Sequence, residues 1–197
     1  AANLCEVQEY FRDIGCGVSE LAVVSFVGKM YTNSLQYETL DNFYDAFKTN
    51  AGSLFCIAQT LYPIFERLKS GRLIHIGSNS AIQGFSGMLS YCASKFATHG
   101  MIQVIAKEYA TIGAVANQIN PCAFIPESSS MSEEQIKGFM LTQHMTKQEV
   151  LKMMSSKIPK GRLAAPEDLS KLVKFLLFDA TDFITGQSFN LSGGMHM

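Results

Sequence analysis

Apolar positions along this chain follow two rhythms. Four short segments, residues 21–27, 72–78, 114–120 and 187–191, are apolar at nearly every position or in alternation. They read as strands, and the uninterrupted first one suits a strand buried on both faces of a parallel sheet. From Thr39 to about Ser70, apolar side chains recur at Phe43, Phe47, Leu54, Phe55, Ala58, Leu61, Tyr62, Phe65 and Leu68, one continuous helical stripe. A second helix is predicted from about Ser90 to Thr111, with Ala93, Phe96, Ala97, Gly100, Met101 and Val104 on its core side. A third opens at Pro166, a residue suited to the first helical position, and carries Leu169, Leu172, Val173, Leu176 and Leu177. Strands alternating with helices of this length predict βαβ units: an α/β, doubly wound parallel sheet, Rossmann-like, in one domain over 1–197.

One connection is long. Residues 122–165 hold two segments that fit the capping-box pattern, Ser132-Glu133-Glu134-Gln135 and Thr146-Lys147-Gln148-Glu149. A structured insertion at the C-terminal end of a parallel strand is where a lid over a substrate sits. It carries Met131, Met140, Met145, Met153 and Met154, which suit either a greasy substrate or packing of the lid onto the core.

Composition narrows the class. With 47% apolar residues and a formal net charge of −1, the chain has no electrostatic footprint for nucleic acid or an anionic membrane. Its longest apolar run is too short to span a bilayer, so a cytoplasmic protein is expected. Cys5, Cys16, Cys56, Cys92 and Cys122 are scattered and never form C-x-x-C, which predicts reduced thiols. The four histidines show no ligand spacing, and no metal site is predicted.

The candidate chemistry lies where the second strand gives way to the second helix. Ser78 ends the strand, and Tyr91 and Lys95, four apart, share one helix face thirteen residues further on. An ammonium beside a phenol is expected to lower the phenol pKa towards the range of a general base, and a serine hydroxyl can bond the same reacting oxygen. These groups suit proton transfer at a carbonyl or alcohol oxygen while hydride moves at its carbon. A Tyr/Lys pair at this spacing is also a common solvated helix face, and only the strand–loop–helix context separates the two.

With these motifs the sequence resembles the short-chain dehydrogenase/reductase family, in particular its 3-oxoacyl-carrier-protein reductase branch. The segments Gly161-Arg162-Leu163-Ala164-Ala165-Pro166-Glu167-Asp168 and Ile184-Thr185-Gly186-Gln187, with Ser192-Gly193-Gly194 after them, resemble that family's C-terminal motifs. The resemblance implies NAD or NADP as cofactor and a small carbonyl or alcohol substrate. Tyr91 would be the acid/base, and Lys95 would tune it and hold the nicotinamide ribose. Ser78 would orient the substrate oxygen, and Asn50 would support a proton-relay water. Pro121 and Phe124 would lie beside the nicotinamide, and Ser25 on the adenosine side. Asn50 also falls in the apolar stripe of its helix, where a satisfied core amide is an equal reading. The resemblance further implies a homodimer or homotetramer, with the helices over 39–70 and 90–111 at one interface. Phe55, Leu61, Tyr62 and Phe65 suit that interface or packing on the sheet equally well.

The departures concern the cofactor. The family's glycine-rich T-G-x-x-x-G-x-G turn, where backbone N–H groups receive the pyrophosphate, has no counterpart; Gly15-Cys16-Gly17 is followed by Glu20 at the third glycine position and is rejected. Its N-N-A-G is Ser25-Phe26-Val27-Gly28 here, and the threonine that usually touches the carboxamide is Pro126. The sheet is therefore expected to lack the family's first strands, leaving the strand at 21–27 with a bare edge. With a chain that starts at Ala1, this predicts a fragment or incomplete gene product, or a short form completed by a partner. The alternative to an oxidoreductase is a non-catalytic relative serving as a structural or regulatory subunit.

Overall fold

The computed structural model describes residues 18–125, 133, 136–138, 140 and 144–196. Among these residues four strands form one sheet in the order β1-β2-β3-β4, all parallel: β1 (Ala22–Ser25), β2 (Gly71–Ile76), β3 (Ala114–Pro121) and β4 (Ser188–Leu191). Every predicted strand is present. The first is shorter than its apolar run, because Phe26 turns out to 64% exposure in a loop instead of extending the ladder.

The long apolar stripe forms two helices, α1 (Leu40–Phe47) and α2 (Ser53–Leu68), joined without a break by a π-helical turn, Lys48–Gly52. Thr39 starts α1 by accepting the Asn42 N–H at 3.1 Å. After α2, Lys69 adopts a left-handed conformation, and the chain turns into β2. α3 (Leu89–Ala110) leads to β3 through Gly113, whose φ is +85°; a Cβ there would lie 2.4 Å from the Lys69 carbonyl oxygen, so the turn admits only glycine. Beyond β3 come α4 (Lys147–Ser156) and α5 (Pro166–Lys174). The predicted capping box closes α4: Thr146 N–H donates to Glu149 Oε2 at 2.8 Å, and Glu149 N–H donates to Thr146 Oγ1 at 3.3 Å. The other predicted box, around Ser132, falls mostly outside the described residues. Pro166 opens α5 as expected, and Asp168 fixes the entry by accepting Ala165 N–H and a two-pronged Arg162 guanidinium.

Both sheet faces are covered. On one, Leu54, Leu61 and Phe65 of α2 and Ile102, Ala106 and Tyr109 of α3 pack on Leu73, Ala114 and Ala116. Burying each larger side chain contributes about 1.5–3 kcal/mol. On the other, Leu169 of α5, together with Leu176, covers Ile74, Ile76 and Ile119. All eight residues of β3 are buried, as a central parallel strand requires.

The orientation of α3 corrects the sequence reading. Its buried residues are Ser90, Tyr91, Cys92, Ser94, Lys95, Thr98, Ile102, Ala106 and Tyr109, a largely polar stripe in the half near the site. Phe96 and Val104, expected in the core, are 46% and 57% exposed. Apolar periodicity points to the core only when the buried face is the apolar one, and here the buried face carries chemistry. Phe55 of α2 also faces outward, at 52% exposure.

Candidate active site

The C-terminal ends of β1, β2 and β3, with the loops after them, α4 and α5, enclose a cavity of about 1120 Å³. Such a position, outside the carboxyl ends of parallel strands, is where open α/β sheets bind ligands. Ser78 caps a short 3-10 helix, Asn79–Ala81, accepting Ser80 N–H at 3.0 Å and donating to Asn79 Oδ1 at 3.1 Å. Tyr91 and Lys95 stand on successive turns of α3. All three side chains line the cavity, although each is nearly buried.

Lys95 Nζ donates to the Ile76 carbonyl at 3.2 Å and lies 5.8 Å from the centre of the Tyr91 ring. Burial, with the Lys95 side chain only 2% exposed, lowers its pKa to about 8. Burial also pushes the Tyr91 phenol up; a hydrogen bond with Ser78 pulls it back in part, and the Cys92 thiol beside it adds to the rise. The expected lowering of Tyr91 by Lys95 is therefore not what this geometry gives. Lys95 is anchored on a carbonyl, and removal from water outweighs its pull on a phenol that is equally desolvated.

Asn50 is fully buried within the π-helical turn and does not line the cavity. Its Oδ1 accepts Lys29 N–H at 2.7 Å, and its Nδ2 donates to the Lys29 carbonyl at 2.9 Å and to Ser94 Oγ at 2.8 Å. Ser94 in turn donates to the Tyr91 carbonyl at 2.7 Å. The amide thus ties the strand exit after β1 to the first turns of α3, and the satisfied-amide reading describes its side chain. π-helical turns are frequent at functional sites. Pro121, at the end of β3, and Phe124, bridged to Ala164, are in the cavity wall. Ser25 is not: its hydroxyl sits 3.4 Å from His75 Nδ1, within the sheet, and Phe26, Val27 and Gly28 form the wall instead. Gly15-Cys16-Gly17, Pro126 and Met131 lie outside the described residues.

The sequence reading missed several wall residues: Met30, Phe85, Met88 and Met195. Phe85 and Met88 had a signal, as apolar residues in the loop between the candidate serine and tyrosine. Of the lid methionines, Met153 and Met154 face the cavity, while Met140, Met145, Met153 and Met154 also pack with Ile136, Val150 and Ile158. Packing and lining are thus one arrangement. Two buried polar residues behind the site, His75 and Gln118, were also passed over. Among the described residues no helix is long and apolar enough to cross a membrane.

Comparison with known proteins agrees with this architecture. A family model described as enoyl-(acyl carrier protein) reductase matches residues 2–196. The chain is 27% identical, over 175 residues, to the 3-oxoacyl-(acyl-carrier-protein) reductase FabG of Haemophilus influenzae, covering 89% of this chain but 66% of that protein, just under two thirds of its length. The structure matches a sorbitol-6-phosphate 2-dehydrogenase, SrlD, from Erwinia amylovora with a TM-score of 0.91 at 23% identity, covering 99% of this chain and 76% of that one. It matches ElxO with NADP bound with a TM-score of 0.84 at 20% identity, covering 98% and 74%. With its four parallel strands, the strand-end cavity and a family match over nearly all its length, the chain belongs to the short-chain dehydrogenase/reductase family.

Proposed function

We propose that this chain carries the proton-transfer half of an NAD- or NADP-dependent oxidoreductase acting on a ketone or secondary alcohol. The observation that carries the reading is the meeting of Ser78, Tyr91 and Lys95 in one apolar-walled cavity at the strand ends. The nicotinamide end of the cofactor fits this wall. Lys95 is a buried ammonium with three N–H donors, one of which is taken up by Ile76, a donor set suited to a ribose diol. Pro121 and Phe124 offer flat apolar surface beside it. When bound, the cofactor supplies or accepts the hydride.

The chain's own residues manage the proton. Tyr91 Oη gives a proton to, or takes one from, the substrate oxygen, and Ser78 Oγ, its hydroxyl turned from Asn79 Oδ1, donates a hydrogen bond to that oxygen. Burial keeps Tyr91 protonated, the state a carbonyl reduction requires of a general acid. Lys95 holds the ribose, and Asn50 fixes the turn that carries Tyr91. Met153 and Met154 of α4 keep water from the substrate. Cytoplasmic residence and assembly as a homodimer or homotetramer complete the reading.

The decisive test pairs Tyr91→Phe with a cofactor titration. NADH or NADPH fluorescence should report binding by both wild type and variant, while the variant loses ~10²–10⁴-fold in kcat/KM on ketones. Activity surviving in Tyr91→Phe would overturn the assignment. One observation favours the second reading, a non-catalytic subunit: Phe26, in the cavity wall, stands where the resembled family carries the second asparagine of its N-N-A-G. Under it, neither nucleotide binds to the protein as it is made in its source cell.

A further inference from the structure

The face of the sheet under α2 and α3 changes character near its C-terminal edge. Across the four strands, Ser25 stands beside His75, His75 beside Gln118, and Gln118 beside Ser188. Alternation along the strands places His75 and Gln118 on the face of Leu73, Ala114 and Ala116, whose neighbours are apolar. Both polar side chains are wholly buried. Each keeps one polar atom without a protein partner: Nε2 of His75 and Oε1 of Gln118. The other atoms are engaged, His75 Nδ1 lying 3.4 Å from Ser25 Oγ and Gln118 Nε2 donating to Asn120 Oδ1 at 2.7 Å.

The two remaining atoms are complementary. Burial holds His75 neutral, lowering its pKa to about 3, with the charge of Lys95 adding to the effect. In the tautomer where the Ser25 hydroxyl donates to Nδ1, the ring proton sits on Nε2, a donor, while Gln118 Oε1 is an acceptor. Buried groups of this kind are costly alone, and an internal water that accepts from one and donates to the other removes the cost.

The pair also lies directly behind the candidate active site. His75 precedes Ile76, whose carbonyl takes Lys95, and then Gly77 and Ser78 in the cavity wall. A Cβ on Gly77 would come within 2.5 Å of Asn120 Oδ1 and 2.6 Å of Gln118 Nε2. These amides therefore fill the space a side chain at position 77 would need, beside the backbone that leads to Ser78.

We infer that His75 and Gln118 hold one internal water behind Gly77, and that the pair acts as positioning residues for Ser78. The water site rests on these two buried, unpartnered atoms on paired strands; the positioning role rests on the proposed function. The first test is imidazole NMR of the ¹⁵N-labelled wild-type protein. It should show His75 as the neutral Nε2–H tautomer, with a cross-peak from that proton to a long-lived water. An Nδ1–H tautomer, or no such cross-peak, overturns the water site. The second test assays Gln118→Leu, and Gln118→Asn in case the first does not fold, with NADH and NADPH on aliphatic and aromatic ketones. The expected result is a kcat reduced by ~10-fold or more, with the cofactor KM held within about two-fold. An unchanged kcat, or a rise in KM alone, overturns the positioning role. A wild type without turnover overturns that role together with the proposed function, and the NMR result still decides the water site.

Discussion

Lys95 and His75 are both buried bases, and burial lowers the pKa of each, so both set a pH dependence of stability. Lys95 titrates near 8 folded and near 10.5 unfolded; between those values the unfolded chain binds the extra proton, so stability rises with pH, by on the order of 3 kcal/mol. Above about 10 the raised Tyr91 opposes it, because there the unfolded chain loses a phenol proton that the folded one keeps. His75 works the same way at the acid end: stability is full above 6.5 and falls as pH drops towards 3, by on the order of 5 kcal/mol. Urea unfolding at several pH values should show both slopes. Lys95→Met should abolish the rise above pH 8, and His75→Leu should flatten the acid limb; slopes unchanged in both variants would refute the assignments. At this scale Ser78, Tyr91 and Lys95 were legible because local spacing on one strand end and one helix brings them together. His75 and Gln118 were not, since 43 positions separate them and only the β2–β3 register makes them neighbours.

Among the elements, the π-helical turn between α1 and α2 does what neither helix could do alone. It carries Asn50 inward, where one amide clamps both backbone groups of Lys29 and, through Ser94, the Tyr91 carbonyl. Asn50→Leu would strand a backbone N–H and a carbonyl together, costing about 2–4 kcal/mol by the usual penalty for unpaired buried groups. Chemical denaturation measures that loss, and a change under about 0.5 kcal/mol would mean water replaces the amide without penalty. The same variant should also lower kcat in a ketone-reduction assay, because it loosens both the turn bearing Tyr91 and the wall segment at Gly28 and Met30 that Lys29 joins. Sequence periodicity read the 39–70 stripe as one helix and nearly succeeded. It could not foresee the extra residue of the π turn, which changes the phase of the stripe between the two helices; within α2, Leu54 and Phe55 are adjacent and cannot share one face, so Phe55 stands outside while Leu54 stays in the core. Helix α3 misled for the opposite reason, its apolar residues being spread around the whole circumference.

For the whole molecule, fold class was legible because long buried parallel strands and the helices between them leave a pattern that few other architectures share. What that pattern leaves undetermined is the purpose of the outward apolar side chains. On the layer formed by α2 and α3, Phe55, Phe96 and Val104 are about half exposed, even though Leu54, Leu61, Ile102 and Ala106 of the same helices already fill the contact with the sheet. Scattered exposed apolar residues need no explanation, but several large ones on one layer make that layer a candidate interaction surface. A second copy of the chain is the occupant the family resemblance implies, and a two-fold axis would set the layer against itself, apolar against apolar. Light scattering on the purified protein should then give two or four times the 21.7 kDa chain mass. Phe55→Glu with Phe96→Glu should return it to one chain mass at micromolar concentration, with an unchanged far-ultraviolet circular dichroism spectrum, because neither ring contributes to the core beneath. A wild type that runs as a single chain, or a double variant that keeps its assembly, would place the interface elsewhere. Retention of helical signal in the variant separates loss of assembly from loss of fold, so the surface and the core are tested independently.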